Sequence, residues 1–362
     1  MGCLTISFNT AAISAVIPAI SLDLCLPAIV VSKIIPFYMI PYGICALLFA
    51  PLTRFVSYKA ILSCSMVIYA VSSLYCAGVT EMGHFLAARM IMGLSAAGAI
   101  PLGLILIGQL FEKKIRGRLV GLFFTCSFLS SIVGIFLSGT AHWRWLFYIP
   151  AILGLLTALS ITLYQSDLMR RIHGAKVNYL RVYTNARIRN VFIFIFALSF
   201  LYHGVHNWFG VYLSSHYHLD KLSISFFFML IAVSSAFGQM TGGYLTDKRS
   251  RFLSCHVGVI LLAVTTMLLA GHYPLIVLAV ILALFSIGWT VGHNGASTVL
   301  TDFPEENRPE IASLNSSVRF TSGGIGFYVS GIFVEKSFGL TFLIFGLLMF
   351  LSSFTLKRVI PE

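Results

Sequence analysis

The sequence predicts an all-α polytopic membrane protein whose twelve transmembrane helices form two related six-helix halves. Three observations carry that prediction. The first is composition: of 362 residues, 58% are hydrophobic and only 10% charged. A soluble domain of that size cannot hide so much apolar surface while leaving so few charges to cover its outside. The second is where the charge lies. The net charge is +12, yet Lys and Arg gather in alternate inter-helix loops, as an excess of positive charge on cytoplasmic loops requires. The third is a repeat. Two separate stretches recur at nearly one offset, 192 or 193 residues later, which chance does not readily supply.

About 20 apolar residues in a helix reach across the hydrocarbon core of a bilayer. Twelve such spans are placed near 3–22, 29–52, 59–78, 84–110, 117–139, 144–164, 190–213, 222–246, 252–271, 274–300, 310–333 and 338–356. The first lacks a basic leader region and a small-residue cleavage site, so it reads as an uncleaved span. The second ends on the basic turn Ala50–Ser57, and the fifth follows Lys113, Lys114, Arg116 and Arg118. Between the sixth and seventh lies the longest polar segment, Gln165 to Asn190, holding six basic residues. It divides the chain into an N-terminal half (1–164), a basic cytoplasmic linker (165–189) and a C-terminal half (190–362). Eighteen of the 24 Lys and Arg fall on the side of this linker and four on the other, at Lys33, Arg144, Lys221 and Lys336. Both termini are thus expected in the cytoplasm, in a multi-pass protein of the cytoplasmic membrane. The eighth and ninth spans are separated by Gly243-Tyr244-Leu245-Thr246-Asp247-Lys248-Arg249-Ser250-Arg251. At the 192-residue offset Arg116 falls on Arg308, Gly134 on Gly326, Ser138 on Ser330, Gly139 on Gly331 and Gly154 on Gly346.

The turn at 243–251 resembles the signature loop of the major facilitator superfamily, G-x-L-x-D-(K/R)-x-x-(R/K), through Gly243, Leu245, Asp247, Lys248 and Arg251. The first-half copy departs from it: Ala50 replaces the Gly, Arg54 the Asp and Ser57 the second Gly. Arg89-Met90-Ile91-Met92-Gly93 is similar to the family's R-x-x-x-G element, and Trp143-Arg144-Trp145-Leu146-Phe147 to the entry of the sixth helix in efflux-type members. The fifth helix keeps Gly134, Ser138 and Gly139 of the antiporter stretch but has no Pro. The resemblance covers most of the chain and lies closest to the twelve-helix efflux branch, drug:proton antiporters and sugar-efflux-like carriers. It implies two pseudo-symmetric bundles related by an axis along the membrane normal, with a substrate site between them near the midplane. It also implies that Asp247, Lys248 and Arg251, with Gly243 beside them, form a latch toward the eleventh-helix N-terminus and toward Glu305, Glu306 and Glu310. The first-half latch, with Arg54 in the acidic position, is then absent or inverted.

An ionisable group inside a bilayer is costly unless paired or hydrated, so each is a candidate for function. Asp23 closes the first helix and Arg89 lies about one and a half turns into the fourth, at similar reckoned depths, so an Asp23–Arg89 pair is expected when the outer side closes, unless Asp23 is a solvated loop residue and Arg89 snorkels. Arg319 in the eleventh helix and His293 in the tenth come at similar depths from the opposite face. Together they favour an anion between them, unless Asn294 or Asn315 satisfies the Arg. His203, His206 and Asn207 follow i, i+3, i+4 spacing, which puts them on one face of the seventh helix. They read as a polar lining of the path or as interfacial residues beside Trp208 and Tyr212; no third ligand makes a metal site of them. Ser7, Asn9, Thr10 and Ser14 offer neutral hydrogen-bond partners in the first helix, or interhelical packing.

All twelve Asp and Glu fall in loops or at helix ends. Cavity candidates are therefore Arg and His, which predicts anionic or neutral polar solutes over lipophilic cations. The seven Cys have no metal-ligand spacing and read as small buried apolar residues. No phosphate-binding loop of the Walker type is present, and no cofactor is expected. The reading is a secondary transporter moving a small solute by alternating access, with proton-coupled efflux as one form and uptake of an anionic or neutral metabolite as another. It is not read as an enzyme, since the His are scattered; a non-transporting sensor or scaffold is the remaining alternative. Expected partners are the small-molecule solute, the lipid bilayer and protons as candidate coupling ion, with no nucleic acid, in a monomer.

Overall fold

The computed structural model describes residues 2–163, 178–303 and 308–360. Twelve helical spans, and no strand among the described residues, run back and forth. Among the described residues, ten helices are long and apolar enough to cross a membrane. The remaining two are Arg308–Val334, which is long but more polar, and the shorter apolar Phe338–Ser353. The other bounds are Gly2–Asp23, Ala28–Ser32 with Pro36–Leu52, Tyr58–Gly78, Met82–Ala96 with Ala99–Leu110, Lys113–Thr140, Trp145–Leu163, Ala186–His206 with Phe209–Tyr217, Lys221–Lys248, Arg251–Leu268 and Leu275–Val299.

Three spans are broken where the sequence reading had them continuous. The second turns at residues 33–35 and resumes with Pro36 in its first turn, where a missing N–H costs nothing. The fourth breaks at Ala97–Gly98, where a side chain on Gly98 would overlap the Phe49 ring. The seventh breaks at Asn207–Trp208, beside the point where Gly210 lets it press on the Ser14 carbonyl of the first.

Each half contributes most of one of two cores, with Ala15 and Ile135 joining that of the second half and Trp208 and Phe327 that of the first. Ile13, Tyr38, Tyr69, Phe85 and Phe147 belong to one cluster, and Phe194, Tyr212, Phe285, Phe342 and Met349 to the other. Packing, rather than exclusion from water, holds such helices together in lipid, and small residues permit the approach. The same device is used twice. A methyl on Gly134 would strike the Phe8 carbonyl; one on Gly326 would strike the Phe200 carbonyl. Both members of the first pair lie 192 residues before those of the second, so the fifth–first crossing is reproduced by the eleventh–seventh.

Between the halves, the second and eleventh spans pack along their length, with Tyr42 stacked on Phe320 at 3.9 Å. At the end away from the chain termini, Ser225 fills the space beside Gly139, and Lys221 Nζ donates to the Ala141 carbonyl at 3.3 Å. These contacts join the two halves at their distal end. Asp220 caps the eighth span there, accepting from the Ser223 N–H at 3.1 Å. Hydrogen bonding from Ser223 holds its carboxyl below the usual range. At the proximal end a short helix, Tyr179–Thr184, lies in the linker. Its Tyr179 hydroxyl donates to the Leu47 carbonyl of the second span, and the Asn178 N–H donates to Glu310 of the eleventh, each at 2.9 Å. Burial pushes the Tyr179 phenol up.

Candidate functional site

A cavity of about 220 Å³ lies on the seam, walled by the first, second and fourth spans of one half and the seventh, tenth and eleventh of the other. Larger hollows of about 470 and 600 Å³ lie against the first half alone and open outward, so they are grooves in its flank. Seven of the residues singled out in the sequence reach the seam cavity: Thr10, Ser14, Arg89, His203, His206, Asn207 and Arg319. None of the residues lining it is a carboxylate.

Arg89 is 1% exposed, with its Nε and Nη1 both engaged. Its Nη1 donates to Asn9 Oδ1 at 2.7 Å, its Nε to the Ile34 carbonyl at 3.1 Å, and its guanidinium lies 4.4 Å over the Tyr38 ring. Asn9 in turn donates to the Leu146 carbonyl at 2.8 Å, so this one cation ties the first, second, fourth and sixth spans together. Ile34 sits in the break of the second span, where no helical N–H takes its carbonyl. The break supplies the acceptor and the arginine fills it.

The expected Asp23–Arg89 pair is not formed. Arg89 bonds Asn9, fourteen residues from Asp23 and so about 21 Å along the first helix. Asp23 stays at the distal end, accepting from Arg144 Nη2 and Trp143 Nε1, each at 3.1 Å. Arg144 also donates to the Ala77 carbonyl at 2.7 Å. Depth counted from helix ends ignored that the long Arg side chain reaches inward. Because Asp23 serves only the first half's distal end, Asp23→Asn should keep at least half of wild-type solute flux in proteoliposomes. A loss of tenfold or more would return it to the solute path.

Arg319 stands opposite Arg89 in the cavity and has a different environment. Its Nε is shielded from solvent and has no hydrogen-bond partner, and neither has His203 Nδ1 in the same wall. Asn315 does not satisfy it, its Oδ1 being unpartnered as well. Asn207 Oδ1 takes the Ser14 hydroxyl at 3.3 Å and lies 3.2 Å from His206 Nδ1. This hydrogen bond joins the first and seventh spans across the seam.

Two candidates belong elsewhere. His293 is not in the wall: it leans on Trp289, ring centres 5.1 Å apart, and shares a hydrogen bond with Ser297. Asn294 donates to the Gln239 carbonyl at 2.9 Å and packs beside Gly242, clamping the eighth span to the tenth. Trp289, one turn before His293, holds the wall position instead. It stacks on Tyr202 at 3.8 Å, and Tyr202 stacks on His206 at 5.1 Å. Tyr38, Tyr202, Trp289 and Phe320 were not anticipated as lining. In a chain with 31 Phe, 15 Tyr and 4 Trp, no spacing separates a ring facing a cavity from one facing lipid.

The turn after the eighth span differs from the latch in its partners. Asp247 and Lys248 lie within the last helical turn, not beyond it. Arg251 pairs with Asp302, at the end of the tenth span, and Glu310 is taken by Asn178 of the linker. Glu305 and Glu306 lie outside the described residues. Gly243 faces open space, whereas Gly242 is the one pressed against Val291 and Asn294. Asp247, Lys248 and Arg54 are exposed. No group of three His, Cys, Asp or Glu among the described residues is placed to hold a metal.

Comparison with known proteins gives one answer. A family model described as Major Facilitator Superfamily matches residues 1–327. The chain is 24% identical over 341 residues to an uncharacterized MFS-type transporter, YwfA, of Bacillus subtilis, covering 89% of this chain and 82% of that one. It is 30% identical over 122 residues to Azole resistance protein 1 of Saccharomyces cerevisiae, covering 32% of this chain and spanning only 20% of that protein's length. Among solved structures, the xylose transporter XylE from E. coli superimposes with a TM-score of 0.75 at 17% identity, over 100% of this chain and 97% of that one.

Proposed function

The chain belongs to the Major Facilitator Superfamily, and from that premise we propose that it is a secondary carrier that moves a small anionic solute by alternating access. It is a multi-pass membrane transporter and not an enzyme. One observation carries the choice of cargo: the seam cavity holds two arginines and no carboxylate. A guanidinium in a low-dielectric wall needs a counter-charge, and a carboxylate or phosphate that accepts its N–H groups supplies one. A cationic solute would add repulsion with nothing to offset it. In this reading residues 1–164 and 190–362 rock against each other, and the linker side faces the cytoplasm. The Azole resistance protein in the comparison fits an exporter, and protons are the candidate coupling ion.

The test is flux in proteoliposomes: uptake of small carboxylates and phosphate, with an organic cation and a neutral amide as controls. Transport of the cation in preference to every anion would end this reading.

The turn at 243–251 enters as a second element of the cycle. A carboxylate in the last turn of a helix sits at the negative end of its dipole and is disfavoured there unless a donor meets it. Asp247 is such a group and is exposed in this state. Its partner then forms in the other access state, so Asp247→Asn should slow turnover several-fold with membrane insertion intact. Unchanged turnover at equal protein content would show the turn to be topogenic only.

A further inference from the structure

The cavity holds more information than the sign of its charge. Arg89 spends its Nε and Nη1 on Ile34 and Asn9 and lies over the Tyr38 ring, so only its Nη2 is left to offer a ligand. Arg319 and His203 line the cavity, and the buried Arg319 Nε and His203 Nδ1 have no hydrogen-bond partner. They come from the eleventh and seventh spans, both of the second half. The neighbouring wall is a stack of three rings, Trp289 on Tyr202 at 3.8 Å with planes 7° apart and Tyr202 on His206 at 5.1 Å and 19°. Phe285 backs it at 5.4 Å from Tyr202. Rings stacked on one another spend faces on each other and are held in place, so a ligand meets an already ordered row of ring edges, which favours another aromatic ring in edge-to-face arrangement. The volume, about 220 Å³, equals roughly seven waters at their share of the liquid. That suits one six-membered ring with its acid group.

We infer that the cargo is a single-ring aromatic monocarboxylate, its carboxylate on Arg319 and His203 and its ring against the Trp289–Tyr202–His206 stack. This deepens the anion reading above and rests on it. The carboxylate accepts from the Arg319 guanidinium, and from His203 when the imidazole hydrogen is on Nδ1. Both side chains line the cavity, and each has a buried nitrogen without a partner. Arg89 holds the wall together and positions Tyr38 without anchoring cargo.

The experiment uses the purified full chain in liposomes, with labelled benzoate as probe and unlabelled benzoate, cyclohexanecarboxylate, benzamide and acetate as competitors. Cyclohexanecarboxylate has nearly the size and the same charge as benzoate but no aromatic ring; benzamide has the ring and no charge. Benzoate should compete better than cyclohexanecarboxylate by about two- to tenfold, the range of aromatic pairing beyond area, and far better than benzamide. Trp289→Leu should bring benzoate down to the level of cyclohexanecarboxylate, and Trp289→Phe, which keeps a ring, should preserve most of the preference. Equal competition by benzoate and cyclohexanecarboxylate in the wild type would overturn the aromatic assignment and leave the anion reading standing. So would flux of acetate or phosphate with no benzoate binding. Benzamide competing as well as benzoate would overturn both.

Discussion

Arg319→Gln should lower the apparent affinity for an anionic solute by about 10- to 100-fold while leaving the melting temperature in detergent unchanged or slightly raised. Its Nε is shielded and makes no hydrogen bond, so the folded chain bears the desolvation of a cation without a partner to offset it. Removing that charge relieves the protein. What is lost appears only with solute present: a charge-assisted hydrogen bond is worth about 1.5–3 kcal/mol, which sets the range given. Gln keeps polarity and roughly the length, so cavity shape is retained. Arg319→Lys keeps the charge but not the planar fork and should fall between the two. Flux against solute concentration, read beside a thermal melt of the same preparation, separates binding from folding. Full affinity in Arg319→Gln would remove this residue from the site and with it the charge argument.

Arg89→Leu should do the reverse and give a poorly folded protein. The loss strands Asn9 Oδ1 and the Ile34 carbonyl, which Arg89 satisfies at 2.7 and 3.1 Å. Each orphaned buried acceptor costs about 1–3 kcal/mol, and in lipid no water enters to replace the donor. Against this stands the relief of burying a neutral side chain in place of a cation. The relief is small here, because the guanidinium is already bonded twice and faces the Tyr38 ring at 4.4 Å. The net expectation is a loss of about 2–5 kcal/mol, visible as aggregation on size-exclusion chromatography or a clearly lowered melting temperature. Arg89→Lys, with one compact head for two acceptors, should recover only part of it. A monodisperse Arg89→Leu with the wild-type melt and reduced flux would move Arg89 from the framework into the solute site.

The opposite fates of these two arginines were not legible in the chain. Each is a lone cation in an apolar run, and composition ranks them alike. What separates them is the break in the second span: it frees the Ile34 carbonyl beside Arg89 and leaves nothing equivalent beside Arg319. The expected Asp23–Arg89 pair failed for a related reason. Helix counting gives the depth of a Cα, but an arginine's six-atom reach decides whom it meets. His203, His206 and Asn207 went differently, because i, i+3, i+4 spacing fixes one face of a helix wherever that helix is placed. That face is on the cavity. His293 and Asn294 share a helix with Trp289, but only packing against the eighth span shows that Asn294 points to Gln239 and that the ring one turn earlier lines the path.

Twelve spans, their order, the doubling of the unit and the scarcity of internal charge were determined by sequence alone. Each rests on a one-dimensional quantity: the length of an apolar run against bilayer thickness, the side on which Lys and Arg gather, and the spacing at which Gly134 and Gly326 recur. Only the tertiary structure decided which cation is consumed and which is left free, which rings stack into a wall and which glycine of the pair 242–243 is packed. Those outcomes turn on side-chain reach and on where a helix breaks, and both are set by neighbours far away in the chain.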